Sequence, residues 1–205
     1  MTAMNDRRAT TAFPLHDLLA ERWSPRGFSE RALAPEDLGS LLEAVRWSPS
    51  CFNEQPCGYL VGVAGDETHA RIAELLVPPN REWAERAPLL MIACARMNFT
   101  RNGKPNRHAV YDLGQASALL TVQAQALGLV VHQMGGFDAD GTGSVFGLPD
   151  DVEAYAALAV GYHDPDAPLS ERAAAGDAAQ RERRPLGEVA FADAWGSAHP
   201  LAASR

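Results

Sequence analysis

The stretch WSPSCFNEQPCG, residues 47–58, decides how the rest of this chain is read. It follows a strongly amphipathic segment and precedes a run of strand-forming residues, 59–64. Pro49 and Pro56 forbid helix continuation and fix their own φ near about −65°. Between them stand Ser50, Asn53 and Gln55, neutral side chains that both donate and accept hydrogen bonds. A connector between helix and strand needs only turn residues, so this one is over-equipped. Neutral donor–acceptor groups on a stiff backbone suit the edge of a planar polar ring better than a metal ion. The plain alternative is an Asx- and Pro-rich connector.

Upstream, Leu15, Leu18 and Leu19 recur at helical spacing and predict a short helix over 14–23 that stops at Ser24-Pro25. A second helix is expected over 35–47. Pro35 suits its first position, Glu36 and Asp37 its first turn, and Leu38, Leu41, Leu42 and Val45 form its buried stripe. Downstream, helices are expected over 69–76 and 80–86, and LLMIACA (89–95) reads as a strand buried on both faces. Residues 96–108 form a basic loop, either a lid or an ordinary surface connection. The longest helix is expected over 109–127. Leu113, Ala116, Leu120, Ala124 and Leu127 mark its apolar face, and other small residues suit packing against a second copy. A strand at 130–134 enters a Gly-rich turn running to Gly143, and another strand covers 155–162. Residues 167–181 are helix or loop. Residues 188–194 are an extended tail that must dock on something, a partner subunit included.

The class is therefore α+β: a small, mostly antiparallel central sheet flanked by helices. Residues 1–12 are expected to be a flexible arm and 13–205 one domain, with 186–205 a C-terminal extension.

With 18 basic against 26 acidic residues and a net charge of −8, neither nucleic acid nor an anionic membrane is the expected partner. Three cysteines, 51, 57 and 94, are an odd number without CxxC spacing, as in a reduced cytoplasmic protein. The N-terminus has no apolar segment of a secretory signal, and no apolar run reaches the roughly 18 residues of a membrane span. The protein is expected to be soluble and cytoplasmic.

Six scattered histidines show no HxH or HxxxH pair, so no metal site is expected, and His132 reads as a satisfied core residue. There is no G-x-S-x-G elbow, and Cys51 and Cys57 lack an adjacent basic activator. Polar pocket residues without a reactive set point to a borrowed cofactor. Anion-binding equipment does recur. Arg22, Ser24 and Arg26 can grip a phosphate or an anionic ring, and Arg181, Arg183 and Arg184 cluster in QRERRP. Each cluster alone could also be a solvated patch. Gly135-Gly136 lets a backbone N–H approach a ligand closely.

The order of these pieces is R-W-S-x-R, helix, S-P-S-x-x-N-x-Q-P, N-x-x-W-x-x-x-A-P, long helix, G-G-F and R-x-R. It resembles the FMN-dependent nitroreductase family over residues 18–189, most specifically in ERWSPRGFSER (21–31) and WSPSCFNEQP (47–56). The resemblance implies a homodimer with FMN at the subunit interface and terminal arms packing on the partner subunit. It also implies NAD(P)H as electron donor, and nitroaromatic, quinone or similar small acceptors reduced in ping-pong fashion. Arg22 and Arg183 would hold the phosphate, with Arg181 where the family often has lysine. Trp23 lies inside the first motif. Ser24 and Arg26 would reach the ribityl–pyrimidine side. Pro49, Ser50 and Asn53, with Gln55 beside them, would contact the flavin of the other subunit. Asn80 and Asp112 match polar positions near the flavin. Gln133, Met134, Gly135 and Gly136 would run along its ring. Trp83 stands where the family often has lysine and would close space above the flavin, against the substrate; Cys57 stands where it often has tryptophan. Alternatives on the same resemblance are a flavin-sequestering protein, or a specialised enzyme such as a reductive dehalogenase, a flavin-fragmenting enzyme or an azoline oxidase.

Overall fold

The strand β2 (Leu89–Arg96) is buried from its first residue to its seventh, and every other element of the core is placed by what covers it. The computed structural model describes residues 7–203. Residues 1–6 of the expected flexible arm and 204–205 of the expected extension lie outside the described residues. The chain forms two compact units, one from Arg22 to Asp177 and one joining the two ends of the chain, up to Glu21 and from Ala178.

In the larger unit, four strands form one sheet in the order β1-β2-β4-β3, all pairings antiparallel. They are β1 (Cys57–Val63), β2, β3 (Val130–Met134) and β4 (Val152–Gly161). Side chains alternate across a strand, and β2 shows it residue by residue. Leu89, Met91, Ala93 and Ala95 join one core cluster, while Leu90, Ile92 and Cys94 join the other. The first cluster is closed by α2 (Pro35–Arg46) through Leu41 and by α5 (Ala109–Ala126) through Ala109, Leu113, Leu120 and Ala124. The second is closed by α3 (Glu67–Leu75) and α4 (Pro78–Ala84), with α6 (Ala139–Phe146) adding Val145 and Phe146 at its margin. A bulge in β4 opposite Ala93 and Cys94 shifts the register by one residue at Tyr155. The unit ends in α7 (Glu171–Ala178).

The fold is the α+β arrangement expected, with a sheet antiparallel throughout. Two elements differ in kind from the sequence expectation. The Gly-rich turn to Gly143 gives way to α6, whose N-cap Asp138 accepts from Gly141 N–H and which ends at Gly147 in the left-handed conformation. The extended tail at 188–194 is instead a 3-10 turn, Leu186–Glu188, followed by a bridge between Phe191 and Ala198.

In the terminal unit, α1 (Asp17–Glu21) is shorter than the 14–23 helix expected, and Ala9 N–H bonds to the Ala20 carbonyl. Arg8 pairs with Asp17 and Glu21. A short helix, α8 (Pro200–Ala203), closes this unit.

Gly62 in β1 lies under the first turn of α3: a Cβ there would fall 2.4 Å from His69 N and 2.5 Å from its Cα. Backbone cannot yield as a flexible side chain can, so Gly62→Ala is expected to destabilise by about 1–3 kcal/mol. Gly58, in the same strand with open space around it, provides the contrast. Gly58→Ala should be neutral or gain roughly 0.5–1 kcal/mol from the lost chain entropy of glycine. Urea unfolding of both variants checks this; equal midpoints would contradict the packing described.

Candidate functional site

Residues 47–56 leave α2 and enter β1 through a strained turn. Cys51–Asn53 form a 3-10 turn in which Phe52 has φ 55°, followed by Asn53 at 58° and, after Glu54, Gln55 at 52°. An asparagine tolerates the left-handed region, whereas a phenylalanine there costs roughly 1–2 kcal/mol. The turn persists because its neighbours fix it. Asp112, on α5 and only 2% exposed, accepts the Cys51 N–H at 3.0 Å. Ser50 Oγ accepts the Gln55 N–H at 3.0 Å, and Gln55 Nε2 donates to the Asn53 carbonyl. Accepting that bond leaves the Ser50 hydroxyl proton to donate elsewhere.

Beside this turn lies a cavity of about 350 Å³, lined among others by Leu42, Pro49, Ser50, Gln55, Cys57 and Tyr59. Burial, with Asp112 a second cause, pushes the Cys57 thiol up to about 11, so it stays protonated. Tyr59 is pushed up to about 12 by burial and shares a 2.7 Å hydrogen bond with Ser117. Cys57 is thus a neutral wall residue.

At the end of β3 the chain turns through Gly135-Gly136. The Gly136 carbonyl accepts from Asn80 Nδ2 at 3.0 Å and from Val77 N–H at 3.1 Å, which fixes that peptide plane. A Cβ on Gly136 would sit 2.5 Å from Asn80 Nδ2, whereas Gly135 faces open space. Gln133 donates to Thr121 Oγ1 at 3.0 Å, and Met134 is buried in the core. Asn80, expected beside a cofactor, uses one amide N–H to orient Gly136.

The third piece is the segment 22–26. Arg22 donates to Ser24 Oγ at 3.2 Å, and Trp23 meets His163 edge-on. Arg26 is held at two points by Asp177, through its backbone N–H at 2.8 Å and its guanidinium at 2.9 Å. Gly176 lets the guanidinium close, since a Cβ there would fall 2.5 Å from Nη1. The Pro25 carbonyl lies 2.9 Å from His132 Nδ1, so that nitrogen carries the proton. Asp177, Gly176 and His132 were not read as site residues from the sequence. The first two lie about 150 positions from Arg26 with no spacing rule to connect them.

Trp83 requires a correction. It is 2% exposed, stacked on Phe28 and tilted against His132 at 4.6 Å. It is a core residue, and the expectation that it closes space above a flavin is withdrawn.

In the terminal unit, Arg181 donates to the carbonyls of Arg7 and Ala20. Burial first, then the charges of Arg183 and Arg7, hold its pKa below the usual guanidinium value. Arg7, Arg8, Thr10, Gln180 and Arg181 line a cavity of about 140 Å³ in this unit. Arg183 is exposed and donates to the Glu182 carbonyl.

With this geometry in view, the chain can be placed among known proteins. The model of the nitroreductase family matches residues 19–79 and 76–162. The chain belongs to the nitroreductase family. A solved structure described as an oxidoreductase containing FMN superposes with a TM-score of 0.87 at 30% identity, covering 96% of this chain and 100% of that one. A protein of Leptothrix cholodnii, named provisionally as an NADH dehydrogenase/NAD(P)H nitroreductase, is 28% identical over 77% of this chain and 89% of its own. The FMN reductase [NAD(P)H] of Bacillus subtilis is 26% identical over 54% of this chain and 49% of its own. Among the described residues no helix is long and apolar enough to cross a membrane.

Two predictions follow from this geometry. Asp112→Ala leaves the Cys51 N–H without its acceptor, at a cost of about 1–3 kcal/mol. Amide exchange at 51–55 should accelerate, and Asp112→Asn, which keeps an oxygen acceptor, should restore most of the protection. His132 is a pH-sensitive group: burial holds its pKa below the ordinary 6.5. The unfolded chain therefore binds this proton more readily than the folded one. The stability it contributes is present above pH 6.5 and is lost as the pH falls through the lowered folded value. His132→Gln should flatten the loss of stability as the pH falls below 6.5 in urea titrations.

Proposed function

We propose that the protein is an FMN-dependent oxidoreductase that passes electrons from NAD(P)H to small acceptors of the nitroaromatic or quinone kind. The observation that carries this reading is the match, over nearly the whole chain at 30% identity, to a solved oxidoreductase containing FMN. The residues present fit such a cofactor. Gly135 offers bare backbone, Ser50 keeps a free donor, and the 47–56 turn is held strained by a buried carboxylate.

When bound, FMN supplies the hydride chemistry, accepting a hydride from the donor and passing electrons to the acceptor. The residues of this chain position and polarise it. Arg22 is assigned to the phosphate, with Ser24 and Arg26 on the pyrimidine side. The Arg26 guanidinium favours negative charge developing there, and Asp177 keeps it in one orientation. Arg181 and Arg183 keep a phosphate role on the strength of the family motif. Ser50, Asn53 and Gln55 are assigned to the ring held by a second copy, which makes the working unit a homodimer. The exposed, largely apolar side of α5 (Val110, Tyr111, Gly114, Ala118 and Leu119) supports that assembly, and the terminal arms are assigned to the partner subunit. Donor and acceptor would use the site in turn, giving ping-pong kinetics.

One observation favours a more specialised acceptor. Residues 97–106 are an ordered hairpin, with Asn98 bridged to Pro105, and aromatic and cationic side chains of this hairpin contact the 47–56 turn.

The test is anaerobic titration of the FMN-loaded protein with NADH and with NADPH, read by flavin absorbance. Bleaching by at least one is expected. A protein that takes up no FMN, or whose flavin neither nucleotide bleaches, overturns the reading. Arg22→Ala should weaken FMN binding about tenfold or more, the loss of one charge-assisted contact of about 1.5–3 kcal/mol.

A further inference from the structure

Phe52 is the least economical residue of the site. It occupies a left-handed conformation that penalises a bulky side chain, and the residue is 74% exposed. Neither core packing nor a turn requirement accounts for it, since asparagine or glycine would fit that backbone better.

The ring is nevertheless placed. Phe99, from the 97–106 hairpin, meets it edge-on at 6.3 Å. The Arg101 guanidinium lies over both rings, 4.4 Å from the centre of Phe52 and 4.9 Å from that of Phe99. The hairpin is fastened to the turn independently of these rings, because Glu54 accepts from the Thr100 hydroxyl at 2.6 Å and from its N–H. Two segments 46 positions apart are thus clasped so that two aromatic rings and one guanidinium share a surface.

A guanidinium held against aromatic rings finds no strong hydrogen-bond acceptor in them, so its N–H groups remain for other partners. Among the described residues, those of Arg101 make no hydrogen bond or ion pair, whereas Arg96, at the base of the same hairpin, is spent on Asp151. Glu54 is the near carboxylate, felt electrostatically by Arg101, and it is already bonded to Thr100. Lys104 and Arg107, exposed on the same segment, add to the positive field.

We propose that Phe52, Phe99 and Arg101 form the acceptor-selecting surface, and that it selects planar aromatic acceptors bearing an anionic substituent. The inference rests on the flavin oxidoreductase reading above. The exposed Phe52 ring, backed by the half-buried Phe99, takes the aromatic plane, and the N–H groups of Arg101 take the anion. Because Phe52 is bonded directly to Asn53, assigned to the flavin edge, this surface lies within one residue of that edge.

The test compares 4-nitrobenzoate with 4-nitrobenzamide, which have nearly the same shape but differ in charge, as acceptors for the FMN-loaded protein with a saturating donor. The wild type is expected to favour the carboxylate in kcat/KM. Arg101→Gln should lower that preference about tenfold, the loss of one charge-assisted hydrogen bond. Arg101→Lys should restore part of it. Phe52→Asn, which suits the backbone, should lower kcat/KM for both acceptors. A wild type indifferent to the charge, or an Arg101→Gln enzyme with unchanged preference, overturns the inference while normal FMN content and normal bleaching leave the flavin reading standing. An effect of Arg101→Gln on the KM for the nicotinamide donor alone assigns the surface to the donor and likewise overturns it. A protein without flavin overturns both.

Discussion

A strand that is apolar on both faces is stable only between two layers, and β2 imposes this condition on the whole larger unit. Each residue of the run 89–95 is at most 3% exposed. Its odd-numbered residues require α2 and α5; its even-numbered residues require α3 and α4. The site follows from this demand. α5 lies across the sheet because Leu113 and Leu120 must meet β2's odd-numbered residues, and that placement brings Asp112 beneath the 47–56 turn. α4 covers the opposite face, and that placement brings Asn80 to Gly136.

The elements legible in the sequence were those whose own periodicity matches the layer they join. α2 is recognisable from Pro35 and its stripe, β3 from its β-branched run, and β2 from length and apolarity together. α6 was not legible, because Gly141 and Gly143 argue against a helix on intrinsic propensity. The Asp138 cap, the Gly147 stop and packing by Val145 and Phe146 outweigh that propensity, and the first two were visible as residue types. The tail misled in the opposite direction: its apolar residues suggested extension, but local 3-10 bonds and the Phe191–Ala198 bridge organise it within its own unit.

Of the candidate site, the sequence offered motif positions, but not the contacts those side chains make. The motif residues occupy the turn, the Gly pair and the segment 22–26. What they touch depends on long-range partners that no local spacing encodes. Arg26 needs Asp177; Gly136 needs Asn80; Pro25 needs His132. Trp83 shows the limit most clearly: its position in a motif suggested a substrate contact, yet its size and apolarity took it into the core against Phe28. Large aromatic side chains gain so much from burial that a motif position alone does not establish exposure.

Strain in the 47–56 turn connects stability with chemistry. Three non-glycine residues in left-handed conformations cost together on the order of a few kcal/mol. The Asp112 anchor and the Glu54–Thr100 clasp offset that cost from opposite sides, one from the buried helix and one from an exposed hairpin. The buried anchor holds the backbone at Cys51, whereas the exposed clasp ties the turn to the 97–106 hairpin at Glu54. Neither contact involves the Phe52 ring, which stands in solvent beside a guanidinium. On the proposed reading, residues 47–56 serve two ends at once: their polar side chains are assigned to a ring-edge ligand, and their strained aromatic to selection at the rim.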